Sequence, residues 1–223
     1  MIKAVFQIFL FILPWPLRRR LLSLFLGYEL HPKSRVGLSI FFADAVELGP
    51  ETIIGHFNYV GRLDKLLMHE DSLIGNFNWI TGLSQKMNSP YFRSKTTRRS
   101  ELIMGKSSSI IHWHNIDCTD RIEMAPYAAL AGIRTQLITH GVEMITCRQT
   151  CSPITIGEYT VIGGGTIILK GVRVPRCCIV TPGAMITHIG SEPYALISGN
   201  PAKEVRKIPE TAKVFFRTRR HID

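Results

Sequence analysis

Apolar positions in the C-terminal half of the chain recur every six residues, at Ile156, Ile162, Ile168, Val174, Val180 and Ile186. Four residues after each of the first five stand Thr160, Thr166, Val172, Cys178 and Ala184, all small or β-branched. Gly157 and Gly163 directly follow the first two repeat positions. The same spacing appears earlier, in Val36, Phe42, Leu48, Ile54, Val60 and Leu66 and again in Met104, Ile110, Ile116, Ile122 and Ala128, with Ile74 and Ile80 as a shorter fragment. A helical period of 3.6 residues does not produce a repeat of six. Short strands alternating with tight turns do, each strand pointing one side chain into a continuous core and each coil pairing with the next. The pattern therefore predicts an all-β solenoid of stacked parallel coils.

The period breaks twice. Residues 81–101 are polar and basic, and predict either an extruded loop or irregular coils. Residues 133–153 also fall out of frame and predict a second extruded loop. Loops thrown out from a regular scaffold are where sites are usually built. At the N-terminus, residues 4–13 form an apolar run, stopped by Pro14-Trp15-Pro16 and followed by Arg18-Arg19-Arg20 and a second apolar stretch, Leu21 to Leu26. The run is too short to span a bilayer as a helix. It lacks a small-residue cleavage site, which argues against a secretory signal peptide. It suits a helix lying in the membrane interface, with the arginines toward anionic headgroups on the cytoplasmic side. It equally suits a helix packed on its own domain or on a partner subunit.

Composition places these elements in an ordinary folded chain: 223 residues, 45% hydrophobic and 20% charged. The net charge of +10 invites a nucleic-acid reading until it is located. Residues 1–35 carry +5 and residues 200–223 carry +4, so the solenoid body is close to neutral. A nucleic-acid partner is not expected. The five cysteines, Cys118, Cys147, Cys151, Cys177 and Cys178, form no disulfide framework and read as reduced thiols of a cytoplasmic protein. Cys147 and Cys151 beside His140 match no common zinc spacing, and no metal is expected.

The hexads resemble those of the hexapeptide-repeat acyltransferases, and in particular the maltose/galactoside and colanic-acid/O-antigen sugar O-acetyltransferases. The resemblance covers roughly residues 34–208. It implies a left-handed parallel β-helix with three flat faces, a short N-terminal helical segment and a C-terminal helical tail. The corresponding division is an apolar and basic segment at 1–33, the β-helix at 34–191, and a cap with a basic tail at 192–223. It further implies an acetyl-CoA-dependent enzyme, a homotrimer with sites at the subunit interfaces, and a sugar hydroxyl as acceptor. The N-terminal segment extends that expectation to a cell-surface glycan or its lipid-linked precursor, handled at the inner face of the cytoplasmic membrane.

By the same resemblance, His140 in Leu137-Ile138-Thr139-His140-Gly141, just before the coil Pro153-Ile154-Thr155-Ile156-Gly157, is the general base. The chemistry stands on its own: a hydroxyl attacking a thioester must lose a proton, and neutral imidazole is suited to take it near pH 7. An acceptor should hold the ring in the right tautomer, and Glu143 or a backbone carbonyl would serve. His112, Trp113, His114 and Asn115 form a second cluster, from which His112 or His114 would touch the acceptor or the developing oxyanion. Alternation by two puts these histidines on one strand face. With His140 they also raise a metal triad like that of the γ-class carbonic anhydrases. The resemblance places the coenzyme A arm along Gly164, Pro182 and Thr187, and its phosphates at Lys203 and Arg206 within Gly199-Asn200-Pro201-Ala202-Lys203-Glu204-Val205-Arg206. The chain departs from the family at Val161, where a bulky aromatic is common. A non-catalytic, membrane-bound solenoid is the remaining alternative.

Overall fold

The computed structural model describes residues 2–87, 89–92, 95–190 and 192–221; the other positions of the predicted N-terminal segment, first break, β-helix and tail lie outside the described residues. The chain winds into stacked coils with three walls. The first wall is built from strands Arg35–Val36, Ile53–Ile54, Leu73–Ile74, Ser109–His112, Ala129–Ile133, Val161–Ile162, Ile179–Val180 and Ala195–Gly199, in that order. The second runs from the first halves of Ile40–Leu48 and Tyr59–Met68 through Trp79–Gly82, Asn115–Cys118, Gln136–Ile138 and Ile167–Leu169 to Met185–Ile186. The third runs from Glu29–Leu30 through the second halves of the same two long strands, Glu101–Met104, Ile122–Met124 and Ile154–Ile156 to Arg173–Val174. Coil-to-coil pairing within the walls is parallel. Backbone bonds such as Ile53 N to Ser72 O (3.0 Å) and Gly75 N to Ile110 O (2.8 Å) continue the pairing past the strand ends.

The hexad residues make the core. All six positions from Ile156 to Ile186 are buried, as are Met104, Ile110, Ile116, Ile122 and Ala128. The small residues four places on, Thr160, Thr166, Val172, Cys178 and Ala184, are buried too. One position departs from the frame. Phe41, not Phe42, points inward in register with Val60, because the chain passes from the inward Val36 to the next inward position in five residues, where the next coil takes six from Ile54 to Val60. Phe42 instead lies against Tyr59 on the outer surface.

The N-terminal segment is helical, with α1 at Ile2–Phe9 and α2 at Trp15–Leu26. These helices close the exposed edge of the first coils. The buried Gln7 amide acts as a missing strand, donating to Phe41 O (2.6 Å) and accepting from Phe41 N (3.1 Å). Arg18 is buried, donates to Val36 O and Gly37 O, and lies over Phe11 and Trp15. Arg19 donates to Leu30 O. Two of the three clustered arginines are thus committed to the first coil and do not face outward, which corrects the headgroup-facing expectation for them. The outer side of the helices stays apolar, with Phe9 72%, Ile12 88% and Leu24 75% exposed.

Among the described residues the expected C-terminal helical tail is not formed. Strand Ala202–Lys207 folds back antiparallel onto Ala195–Gly199 and closes the last open edge of the first wall. An exposed edge favours a pairing strand, and the turn at Asn200-Pro201 cannot continue a helix. Beyond it a short 3-10 turn, Lys213–Phe216, leads into a strap along one corner. Phe215 packs edge-on against Tyr194, Arg217 donates to Tyr127 O and lies over Tyr159, and Arg220 pairs with Asp71 at 3.0 Å.

Candidate active site

Both breaks in the hexad period leave the solenoid at the same corner, between the second and third walls. The first follows Trp79–Gly82 and returns at Glu101–Met104. It carries two short 3-10 turns, Gln85–Met87 and Pro90–Phe92. Arg98 is buried, donates to Leu83 O and Thr119 O, and lies over Phe92, so this segment is folded back onto the corner. The second break is narrower than expected. Gln136–Ile138 still pairs within the second wall, and only His140–Glu143 and Arg148–Cys151 project, as an antiparallel hairpin. Lys95 of the first segment donates to Cys151 O at the foot of that hairpin.

His140 stands where the chain leaves the coil. Its Nδ1 is 2.7 Å from Asp117 Oδ2. Asp117 lies on the second wall in register with Ile138, so one coil's strand supports the start of the next coil's hairpin. The carboxylate is itself held. Thr119 N (3.0 Å) and Thr119 Oγ1 (2.6 Å) donate to Oδ1, while Thr139 N (2.9 Å) and His140 N (3.2 Å) donate to Oδ2. An acceptor at Nδ1 fixes the proton there and leaves the Nε2 lone pair outward. Burial pushes the Asp117 carboxyl up, but the hydrogen bonds from His140 and Thr119 outweigh it and the net direction is down. The same hydrogen bond raises the His140 pKa against burial and the nearby Lys170.

Asp117 takes the orienting role expected of Glu143. The Glu143 carboxylate accepts from Ile145 N (3.2 Å) within its own hairpin, three residues beyond His140. Asp117 follows the repeat position Ile116, and a count back of one coil from Ile138 would have reached it. That coil is twenty-one residues long, not eighteen, and a regular frame misses it.

His112 and His114 do not share a face, because Trp113 between them takes a left-handed turn at φ 59°. His112 sits at the corner before the second wall and accepts from Asn76 N at Nδ1 (2.8 Å). His114 is buried, accepts from Thr135 N at Nδ1 (3.1 Å), and its backbone N donates to Asn78 Oδ1 (2.9 Å). Burial, with the neighbouring His112, pushes the His114 pKa down to about 4. These side chains belong to a polar ladder with Asn58 and Asn78 that satisfies coil backbone, and neither is beside His140. Among the described residues no group of three or more His, Cys, Asp or Glu is placed to hold a metal. All five cysteines are free thiols.

Gly164 and Pro182 occupy equivalent positions on successive coils, as the pairing of Val161 with Ile179 and Ile162 with Val180 requires. A Cβ at Gly164 would lie 2.9 Å from Ile133 N and O, so the glycine there is demanded by the neighbouring coil's backbone and not by open ligand space. Lys203 lies opposite Ser198, whose Oγ accepts from Thr181 Oγ1 beside Pro182 (2.7 Å). Gly164, Pro182 and Lys203 therefore follow one corner. Thr187 does not lie on it. It lies past the end of Met185–Ile186, in the file of Asp117, Ile138 and Leu169 at the far edge of the second wall. Arg206 lies opposite Leu196, farther back along its strand. Val161 is half-buried and paired on both sides. Within one chain the width of the second wall, about 16 Å for a five-residue span, separates the Gly164 corner from His140.

A solenoid of hexapeptide coils with an oriented histidine at an extruded hairpin has the hexapeptide-repeat fold of acetyltransferases. No protein-family model matches the chain. Among solved structures, the polysialic acid O-acetyltransferase OatWY superimposes with a TM-score of 0.59 over 81% of this chain and 84% of that one, at 16% identity. In sequence, the 2,3,4,5-tetrahydropyridine-2,6-dicarboxylate N-acetyltransferase of Brevibacillus brevis is 31% identical over 64 residues, 29% of this chain. The enzyme of the same name from Staphylococcus aureus strain JH9 is 36% identical over 61 residues, 27% of this chain. The matched segments span only 27% and 25% of those relatives' own length.

Proposed function

We propose that the chain is an acetyl-CoA-dependent O-acetyltransferase acting on a sugar hydroxyl of a cell-surface glycan or its lipid-linked precursor. The observation that carries this reading is the 2.7 Å contact of His140 Nδ1 with the clamped Asp117 carboxylate at the mouth of a cavity. His140 Nε2 takes the hydroxyl proton while the acceptor oxygen attacks the thioester carbonyl carbon. Backbone amides steady the tetrahedral oxyanion. The C–S bond then breaks, and the thiolate of coenzyme A leaves with the proton returned by His140. We place the donor along the Gly164, Pro182 and Lys203 corner, with Lys203 toward its phosphates. A donor on that corner would meet the His140 of a neighbouring copy in the homotrimer that the left-handed solenoid resemblance implies.

Incubation with acetyl-CoA and a panel of sugars tests the reading through release of free thiol. Release that requires both a sugar and His140 supports it. No release with any acceptor, together with unchanged cell glycans in a His140→Ala strain, favours a non-catalytic solenoid.

We place the protein at the cytoplasmic membrane surface through the outer side of α1 and α2. The exposed Phe9, Ile12, Leu24 and Phe25 support this. No helix among the described residues is long and apolar enough to cross a membrane. Because Arg18 and Arg19 are committed to the fold, apolar insertion should dominate over charge. The full chain should sediment with phosphatidylglycerol vesicles even in 0.5 M salt, roughly where surface charge is screened within a few ångströms. Phe9→Asp should cut the bound fraction about tenfold, on the order of one large apolar side chain. Sedimentation that salt abolishes would overturn the apolar account.

A further inference from the structure

The outer side of the second wall carries a continuous aromatic file leading to the His140 corner. Phe42, Tyr59 and Trp79 come from three successive coils. Tyr59 lies edge-on to Phe42 at 5.6 Å and stacks on Trp79 at 4.4 Å with 17° between the planes. Rings usually leave water when they stack, yet Trp79 remains 55% exposed. Its place follows from register. Trp79 pairs with Asn115, and Thr81, two residues on, pairs with Asp117. One strand spacing and two residues along a strand put Trp79 about 8 Å from the Asp117 position. Gly61 lies in the same file as Thr81, and a Cβ there would lie 2.9–3.0 Å from the ring tips of Phe42 and Tyr59, so a side chain at 61 would displace those rings.

A cavity of about 530 Å³ covers this stretch, lined by His140, Asp117, Trp79, Tyr59, Tyr91 and Arg62. Tyr91 comes from the folded-back first break, 68% exposed, beside a Phe92 that Arg98 pins to the corner. Tyr91 thus adds a second exposed aromatic ring to the lining of the cavity that holds Trp79. Tyr59 and Arg62 line in addition a second cavity of about 550 Å³, whose farther wall includes Phe42, Asp44 and Lys86. The two cavities share Tyr59 and Arg62 in their linings, one reaching His140 and the other reaching Lys3 and Ala4 of α1. Each alone is of a size that holds a drug-sized ligand, so the pair exceeds what one hexose can fill. Sugar rings present apolar C–H faces, which aromatic rings take up, while their hydroxyls stay with polar groups and water.

We propose that the acceptor is an oligosaccharide, held with the ring to be acetylated at His140 and the following ring on the platform of Trp79 and Tyr91. This rests on the sugar-transfer reading above and adds the chain-length requirement and the residues that impose it. The chain enters from the α1 end, passes Arg62 and Tyr59, and reaches His140 last. Trp79 and Tyr91 position substrate and take no part in proton transfer.

The test compares kcat/KM, by thiol release from acetyl-CoA, for glucose, galactose, N-acetylglucosamine and N-acetylneuraminic acid, each offered as monosaccharide and as tetrasaccharide. The expected result is a tetrasaccharide preference for the accepted sugar. Trp79→Ala should lower the ratio of tetrasaccharide to monosaccharide kcat/KM about tenfold, the size of one aromatic contact. Trp79→Phe, which keeps a ring, should preserve most of the ratio. Tyr91→Ala, on an exposed turn, should lower the ratio without lowering the melting temperature. Equal kcat/KM for the two lengths, or a ratio unchanged in both alanine variants, overturns the proposal while leaving sugar transfer intact. Absence of transfer to every acceptor overturns the sugar-transfer reading itself.

Discussion

His140→Ala is expected to lower kcat by about 10²–10⁴-fold, the usual contribution of a positioned general base, which corresponds to roughly 3–5 kcal/mol of barrier. The side chain is 43% exposed and holds no core contact together, so the loss should come without a change in melting temperature. Binding of coenzyme A, measured by calorimetry, should be retained, because the proposed donor contacts at Gly164, Pro182 and Lys203 do not include the His140 side chain. The pH profile carries a second signature. Only neutral imidazole accepts a proton, and the Asp117 hydrogen bond raises the His140 pKa above its ordinary 6.5. The acid limb of kcat/KM in the wild type should therefore fall above pH 6.5. An activity that persists in His140→Ala with the same acid limb would remove His140 from the chemistry.

Asp117→Asn is expected to be nearly as severe, again about 10²–10⁴-fold in kcat, for a different reason. The carboxylate only accepts, so it holds the proton on Nδ1 and leaves Nε2 free. An asparagine can donate its amide to Nδ1 instead. The ring proton then moves to Nε2, which faces the acceptor and can no longer serve as a base. The imidazolium also loses its partner, so the His140 pKa should drop and the residual activity should show an acid limb at lower pH than the wild type. The backbone donors Thr119 N, Thr139 N and His140 N now divide between the two carboxylate oxygens, and a side-chain amide offers an oxygen on one side only, so a modest loss of stability is expected as well. A simple structural role for Asp117 would lower stability without moving the acid limb. Measurement of the His140 titration by proton NMR in both proteins separates the two.

Much of the architecture was legible because a solenoid repeats one local geometry. Each coil demands an apolar residue at the same points, so the hexads from Ile156 to Ile186 name their buried residues directly. The frame failed at Phe42, because the turn after Val36 is one residue shorter than its counterpart after Ile54 and brings Phe41 inward, and a spacing rule assumes equal turns. His140 was legible from its place at a break and from its imidazole. Its partner was not, since Glu143 is near in sequence while Asp117 is near in space. His112 and His114 looked like one strand face until the turn at Trp113 separated them. Arg18 looked like surface charge, but carbonyls left open at the first coil's edge draw it inward.

Composition and period alone sufficed for a neutral, stacked β body with charge at its two ends, because burying one side chain in six is a local requirement. They sufficed also for two interruptions and a histidine at the second. Which residues from different coils meet at a corner is another matter. It depends on the summed lengths of unequal coils, such as the twenty residues from Ile54 to Ile74 and the twenty-one from Ile116 to Leu137. Only the folded chain adds those lengths up. It brings both interruptions to one corner, sets Asp117 under His140, and lines the aromatic file of Trp79, Tyr59 and Phe42 beside them.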